Sequence, residues 1–294
     1  MTKLATTHQP VSARVLTPIT TAWSNCRLAA RLALLRTDVI YRLWRLANRE
    51  KSFADFYAWQ VTRKLDRGRA HKTLGKRRIE RDAVFAAAPE HDSTSFAARG
   101  SVEFAELLRQ GLHPQHKVVE YGCGSLRVGQ RCIALLPDRH YVGLDITERF
   151  FRDGRDMLKP ELVAAKHPRF HVINDASLLE VSVWKPDFVF AAAVTQHVPP
   201  FELDTYIDRL CRLKHPHTRL VLFFVAAERE VRLKGKSWAS AASQLTTRLE
   251  QCFPGVRMQV RARPITRTPT TDEYREEDLI AEYKSRLTST NGFA

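Results

Sequence analysis

The sequence predicts an α/β protein, a doubly wound and mostly parallel sheet with helices on both faces, carrying a helical extension at its N-terminus. Three observations lead there. Five short apolar runs recur through the middle of the chain, separated by segments long enough for helices, which is the pattern of repeated βαβ units. The first run turns through two glycines one residue apart and enters a helix-like stretch. The charge is uneven: the first 100 residues carry 19 Lys/Arg against 8 Asp/Glu, the remaining 194 carry 28 against 24.

The extension comes first along the chain. No acid precedes Asp38, and Leu28, Leu32, Leu35, Val39, Leu43 and Leu46 recur at three- and four-residue steps. On a helix of 3.6 residues per turn these positions fall within about 80° of one another, which predicts an amphipathic helix over 27–48. Arg27, Arg31, Arg42, Arg45 and Arg49 line one flank of the stripe, with Trp44 on the polar side. A second basic run covers 63–81. Pro89, Asp92 and Ser93 mark 86–95 as a linker, and a short helix over 102–110 follows. The chain divides into a basic, mostly helical extension (1–95), a core (96–265) and a polar C-terminal tail (266–294).

Four uses of the extension compete. Its leucine stripe packs on the core or on a second subunit, or it lies on an anionic membrane through residues 27–49. It binds nucleic acid, which is less favoured because the basic residues sit beside leucines rather than stacking aromatics. Or it is a presequence, since residues 1–37 are free of acids and rich in Ser, Thr and Arg.

In the core, 118–121 is an apolar run with Glu120 near its end, followed by Gly122-Cys123-Gly124. Glycine suits a sharp turn that a ligand approaches closely, and the helix after it offers free N–H groups. The second run, 139–145, ends in Asp145, an acid placed to accept hydrogen bonds from ribose hydroxyls. The third, 170–176, closes on Asp175-Ala176; the fourth covers 187–193 and the fifth 220–225. A dinucleotide fingerprint would place a small residue sixth in the glycine turn, where Arg127 stands.

An acid two residues before the first of two glycines, Glu120-Tyr121-Gly122-Cys123-Gly124, resembles motif I of the class I S-adenosylmethionine-dependent methyltransferases. The resemblance covers roughly residues 95–262. It implies a Rossmann-like sheet of the seven-stranded type and S-adenosyl-L-methionine as cofactor. It further implies cofactor contacts from Glu120, Gly122, Cys123 and Gly124 in the turn. Asp145 would meet the ribose with Ile146 beside it, Asp175 and Ala176 the adenine amino group, and Ala193 would follow the fourth strand. Arg99 would close over the methionine carboxylate, with a surface arginine as the alternative. The chain departs from the family at Leu126, where motif I has a third glycine, and at 214–218, where a Gly-Gly turn is usual.

His197, just after the fourth run, is the candidate general base; its alternative role is packing or capping the next helix. Phe201 and Trp238 are candidate walls for the acceptor, or core residues. Pro199-Pro200-Phe201 resembles part of the amide-methylating motif, but Val198 lacks the polar side chain that motif needs. No paired carboxylates suggest a metal site. The five cysteines are scattered without a C-x-x-C pair, so reduced thiols in a cytoplasmic protein are expected. No run approaches the roughly 18 apolar residues of a membrane span.

The expected function is methyl transfer to a small-molecule, glycan or lipid-linked acceptor, at oxygen. An RNA or protein methyltransferase that binds through the basic extension is the first alternative. A non-catalytic cofactor-binding scaffold is the second. The sequence assigns no oligomeric state.

Overall fold

The computed structural model describes residues 19–69, 71, 74–76, 96–227, 229–252, 256–262 and 274–283. The amphipathic pattern of the extension becomes α1 (Ile19–Ala47), followed by α2 (Phe53–Asp66). Ser52 caps α2 in a capping box with Asp55, each side chain accepting from the other's backbone N–H. Phe53, Phe56, Tyr57, Val61 and Leu65 are buried on one face of α2, against Phe150 and Trp238 of the core. Phe56 and Val61 are fully buried, and such burial stabilises by about 1.5–3 kcal/mol per side chain.

The face of α1 turned inward is not the leucine stripe. Ile40, Tyr41 and Trp44 pack on the α2 cluster, Asp38 pairs with Arg232 at 2.7 Å, and Thr37 abuts the turn at Gly235. Leu32, Leu35, Val39, Leu43 and Leu46 are exposed. Packing of that stripe on the core is therefore corrected: aromatic side chains nearly half a turn away, Tyr41 and Trp44, offered larger apolar area and took the contact. The linker expected over 86–95, most of the second basic run and residues 1–18 lie outside the described residues.

The core opens with α3 (Phe96–Arg109), which begins six residues before the helix expected over 102–110. Five apolar runs form parallel strands β1 (Val118–Tyr121), β2 (Tyr141–Asp145), β3 (Arg169–Val172), β4 (Phe188–Ala192) and β5 (Arg219–Ala227), in spatial order β3-β2-β1-β4-β5. β1 and β2 are buried at every residue, as strands covered on both faces must be. The crossovers carry α4 (Gly129–Leu135), α5 (Glu148–Asp156), α6 (Pro160–Lys166), α7 (Asp175–Val183) and α8 (Leu203–Cys211). One core face gathers Leu178, Ile207 and Leu245 around Leu144 and Leu222. The other gathers Leu107, Ile133 and Phe151 around Phe188 and Phe223.

After β5 comes a hairpin, β6 (Val231–Lys234) and β7 (Ser237–Ala241), that joins β5 only at Ala226 and Ala227. Then follow α9 (Ala242–Cys252), β8 (Val256–Ala262) and β9 (Tyr274–Tyr283). β9 runs antiparallel to β5 over eight residue pairs and to β8 over seven. The doubly wound, mostly parallel seven-stranded sheet is thus β3-β2-β1-β4-β5-β9-β8, with helices on both faces. The stretch 266–294, expected as a polar tail, is corrected in part. It carries β9, a sheet strand whose charged sequence Tyr274-Arg275-Glu276-Glu277-Asp278 hid it from hydropathy.

Candidate cofactor and acceptor site

The site lies where the carboxyl ends of β1, β2 and β4 meet, the crevice in which open α/β sheets bind ligands. β1 leaves the sheet through Gly122, whose φ of +79° favours glycine and whose missing Cβ would otherwise stand 2.2 Å from Val194 Cγ2. Gly122 and Cys123 N–H groups both donate to the Leu144 carbonyl, at 2.7 and 2.9 Å, stitching the turn to β2. Leu126 then adopts φ 58°, a left-handed backbone. That region favours glycine, the residue the family pattern has at this position.

The close approach between helix and strand falls instead at Gly129, the first residue of α4. A Cβ there would lie 2.3 Å from the Tyr141 hydroxyl and 2.5 Å from Glu120 Oε2. The sequence reading sought this residue at position 126, and the signal, a glycine three residues further on, was present.

Glu120 is buried, and the Tyr141 hydroxyl donates to its Oε2. Burial pushes its carboxyl up to about 8, against the Tyr141 hydrogen bond and the Arg127 charge. Asp145, at the end of β2, accepts from Gly124 N–H and Ile146 N–H, each at 2.7 Å. Burial raises it to about 6 while those two donors pull it down. A carboxylate accepts at up to four lone-pair sites, so two backbone donors leave capacity for ribose hydroxyls.

Beyond β4, Ala193 holds φ 60° and a 3₁₀ turn, Thr195–His197, carries His197 to the cavity. Its Nδ1 lies 3.0 Å from the Lys236 carbonyl in the β6–β7 turn. A carbonyl only accepts, so Nδ1 carries the proton and Nε2 holds a lone pair. Gln196 Nε2 stands 3.3 Å from that lone pair. Burial first, and the Lys236 charge after it, lower the His197 pKa, opposed by the hydrogen bond to the Lys236 carbonyl. The net shift favours the neutral imidazole.

These groups line one cavity that is open to solvent. Glu120, Gly122, Cys123, Gly124, Asp145, Ile146, Ala193 and His197 all line it. Asp175 and Ala176 do not. Both are exposed at the start of α7, and the Asp175 carboxylate pairs with Arg212 at 2.5 Å, which holds it below the usual range. Ile173, two residues earlier, reaches the cavity in their place. The Arg99 side chain lies outside the described residues. Trp238 packs edge-to-face on Phe53 at 5.3 Å, a core role, and Phe201 is 68% exposed.

The sequence reading missed the contribution of the extension. Ala54 and Tyr57 of α2 line the cavity, with Leu74. The Tyr57 ring sits 5.0 Å from the His197 ring and 5.9 Å from Phe150. Gly75 N–H donates to Ser125 Oγ at 3.1 Å, tying the segment after α2 to the glycine turn. The spacing of Phe53, Phe56, Tyr57, Val61 and Leu65 announces a packed helix, but no local signal says that it walls a ligand site.

No protein-family profile matches the chain, and no curated protein does. Solved structures do. Magnesium protoporphyrin IX methyltransferase (ChlM) from Synechocystis PCC 6803, crystallised with S-adenosylhomocysteine, superposes at a TM-score of 0.50 and 18% identity, over 70% of this chain and 93% of that one. Haemonchus contortus phosphoethanolamine N-methyltransferase 2 gives 0.49 at 10% identity, over 64% and 54%. The DhpI complex with S-adenosylhomocysteine gives 0.43 at 16%, over 71% and 93%. With a central β3-β2-β1-β4-β5 order closed by an antiparallel β9, the chain has the fold of the class I S-adenosylmethionine-dependent methyltransferases.

Proposed function

We propose that this protein transfers a methyl group from S-adenosyl-L-methionine to a small-molecule, glycan or lipid-linked acceptor, at an oxygen atom. The observation that carries this reading is that the glycine turn, Asp145 and His197 line one cavity. The donor set fits the cofactor: an open turn at Gly122, a buried acid at Asp145, and apolar walls from Ile146, Ile173 and Val194. When bound, the cofactor supplies a methyl group already activated on a sulfonium.

Asp145 would hold the ribose hydroxyls, with Gly122, Cys123 and Gly124 giving the backbone room. Burial favours the protonated form of Glu120, which accepts a hydrogen bond from the Tyr141 hydroxyl. Arg99 is the proposed partner of the methionine carboxylate. Arg127 is committed elsewhere, paired with Glu103 at 2.8 Å.

A neutral hydroxyl oxygen is a poor nucleophile and must give up its proton as it is methylated, whereas an uncharged amine can attack the methyl carbon before its proton leaves. The Nε2 lone pair of His197 can take that proton, which favours oxygen. Tyr57 and Phe150 confine the acceptor and keep out water. The cytoplasm is the proposed compartment.

Titration calorimetry with S-adenosylhomocysteine and with NAD tests the cofactor; micromolar binding of the former and none of the latter is expected. Labelled cofactor incubated with lipid, glycan, RNA and protein fractions tests the acceptor. Transfer into RNA or protein would replace the small-acceptor reading. Tight binding without transfer to any fraction would favour the scaffold.

A further inference from the structure

Leu32, Leu35, Val39, Leu43 and Leu46 of α1 are between 55% and 69% exposed. At 100° per residue they occupy an arc of about 80° on the outside of the helix. A contiguous apolar stripe four turns long is rarely left on a soluble surface without a purpose. Its orientation is held from the other side: Ile40, Tyr41 and Trp44 pack on α2, and Asp38 is bound by Arg232 through two hydrogen bonds of 2.7 and 3.0 Å.

The borders of the stripe are cationic. Arg36 follows one edge and Arg42 the other, and Arg49 stands in the turn just past the helix end, all exposed. Asp38 is the one acid before Glu50, and Arg232 pairs with it. A second protein chain would bury the leucines, but it gains nothing from arginines along both edges unless it is itself acidic there. A leaflet of anionic lipid satisfies both at once, with acyl chains under the leucines and phosphates beside the guanidinium groups. No helix among the described residues is long and apolar enough to cross a membrane, so α1 would lie in the interface plane.

We propose that the outer face of α1 docks on an anionic bilayer surface. The inner face of α1 holds α2, whose Ala54 and Tyr57 wall the cavity. Helices pack about 8–10 Å apart, so a bilayer on α1 lies one helix layer from the site. An amphiphilic acceptor would then arrive from the membrane. This last step rests on the methyltransferase reading; the docking itself does not.

Co-sedimentation of the full chain with vesicles tests docking. One set is phosphatidylcholine alone, the other equal parts phosphatidylcholine and phosphatidylglycerol. Binding is expected to the anionic set only, and to fall as salt shortens the screening length. Each of Arg36→Gln, Arg42→Gln and Arg49→Gln should weaken it about fivefold. Leu35→Glu combined with Leu43→Glu should abolish it while leaving the melting temperature and S-adenosylhomocysteine affinity unchanged. Indifference to both vesicle sets, or a dimer in sedimentation equilibrium that the Leu35→Glu and Leu43→Glu pair dissolves, would overturn the proposal. Cofactor affinity read in the same preparation separates the two hypotheses: vesicle binding by protein that does not bind S-adenosylhomocysteine sinks the enzyme and leaves the docking surface.

Discussion

Leu126 holds a left-handed backbone while its side chain is only 1% exposed. The strained conformation costs about 1 kcal/mol, and removing a buried leucine side chain costs about 2–5 kcal/mol. Leu126→Gly should therefore lower the melting temperature although it restores the family's residue; a higher melting temperature would show that strain outweighs packing. Asp145→Ala removes a charged acceptor from the cavity floor, so S-adenosylhomocysteine affinity should drop roughly 10- to 150-fold in calorimetry. Glu120 behaves differently. Its folded pKa of about 8 lies above its unfolded value of 4.5, so the folded chain keeps a proton the unfolded chain releases. Stability then falls as pH rises from about 4.5 to 8. Glu120→Gln should flatten that decline, with a larger gain in melting temperature at pH 8 than at pH 5. His197→Ala should cut turnover about 10²- to 10⁴-fold with cofactor affinity nearly unchanged. Because its pKa is lowered, the acidic limb of the wild-type rate profile should lie below the usual histidine range.

Among the elements, α2 does the least expected work. It is fixed at its start by Glu202, whose carboxylate accepts from the N–H groups of Phe53 and Ala54, and along its length by burial of five side chains. It also brings Tyr57 against His197. A chain beginning at Phe96 should bind S-adenosylhomocysteine more weakly and melt earlier than the full chain. Equal affinity in calorimetry and equal melting would reduce α2 to an appendage. The β6–β7 hairpin has a comparable role on the other side, since its Lys236 carbonyl sets the His197 tautomer.

At the scale of the whole molecule, the basic extension and the nearly balanced core are not two modules joined by a tether. Asp38 and Arg232, 194 positions apart in sequence, and Phe53 with Trp238 join the extension to the hairpin. The opposite end is equally committed: β9 closes β5 against solvent over Leu220 to Ala227. A chain ending at Arg263 should leave a long apolar strand edge unpaired. Light scattering should then report aggregation on warming, where the full chain stays dispersed.

The sequence by itself determined the parallel sheet, because strands buried on both faces must be mostly apolar, and 118–121, 141–145 and 188–192 are so apart from the two site acids Glu120 and Asp145. It also determined the glycine turn and the acid after β2, since backbone sterics and a strand-end carboxylate are local requirements. Tertiary structure decided the rest. Which face of α1 is buried depended on a contest between leucines and the aromatics Tyr41 and Trp44, settled by what α2 presents. Asp175 and Ile173 are two residues apart, and only the entry angle of α7 sends one to Arg212 and the other to the cavity. The charged β9 is a strand because β5, some fifty residues earlier in the chain, supplies its hydrogen bonds, a partner that no local pattern records.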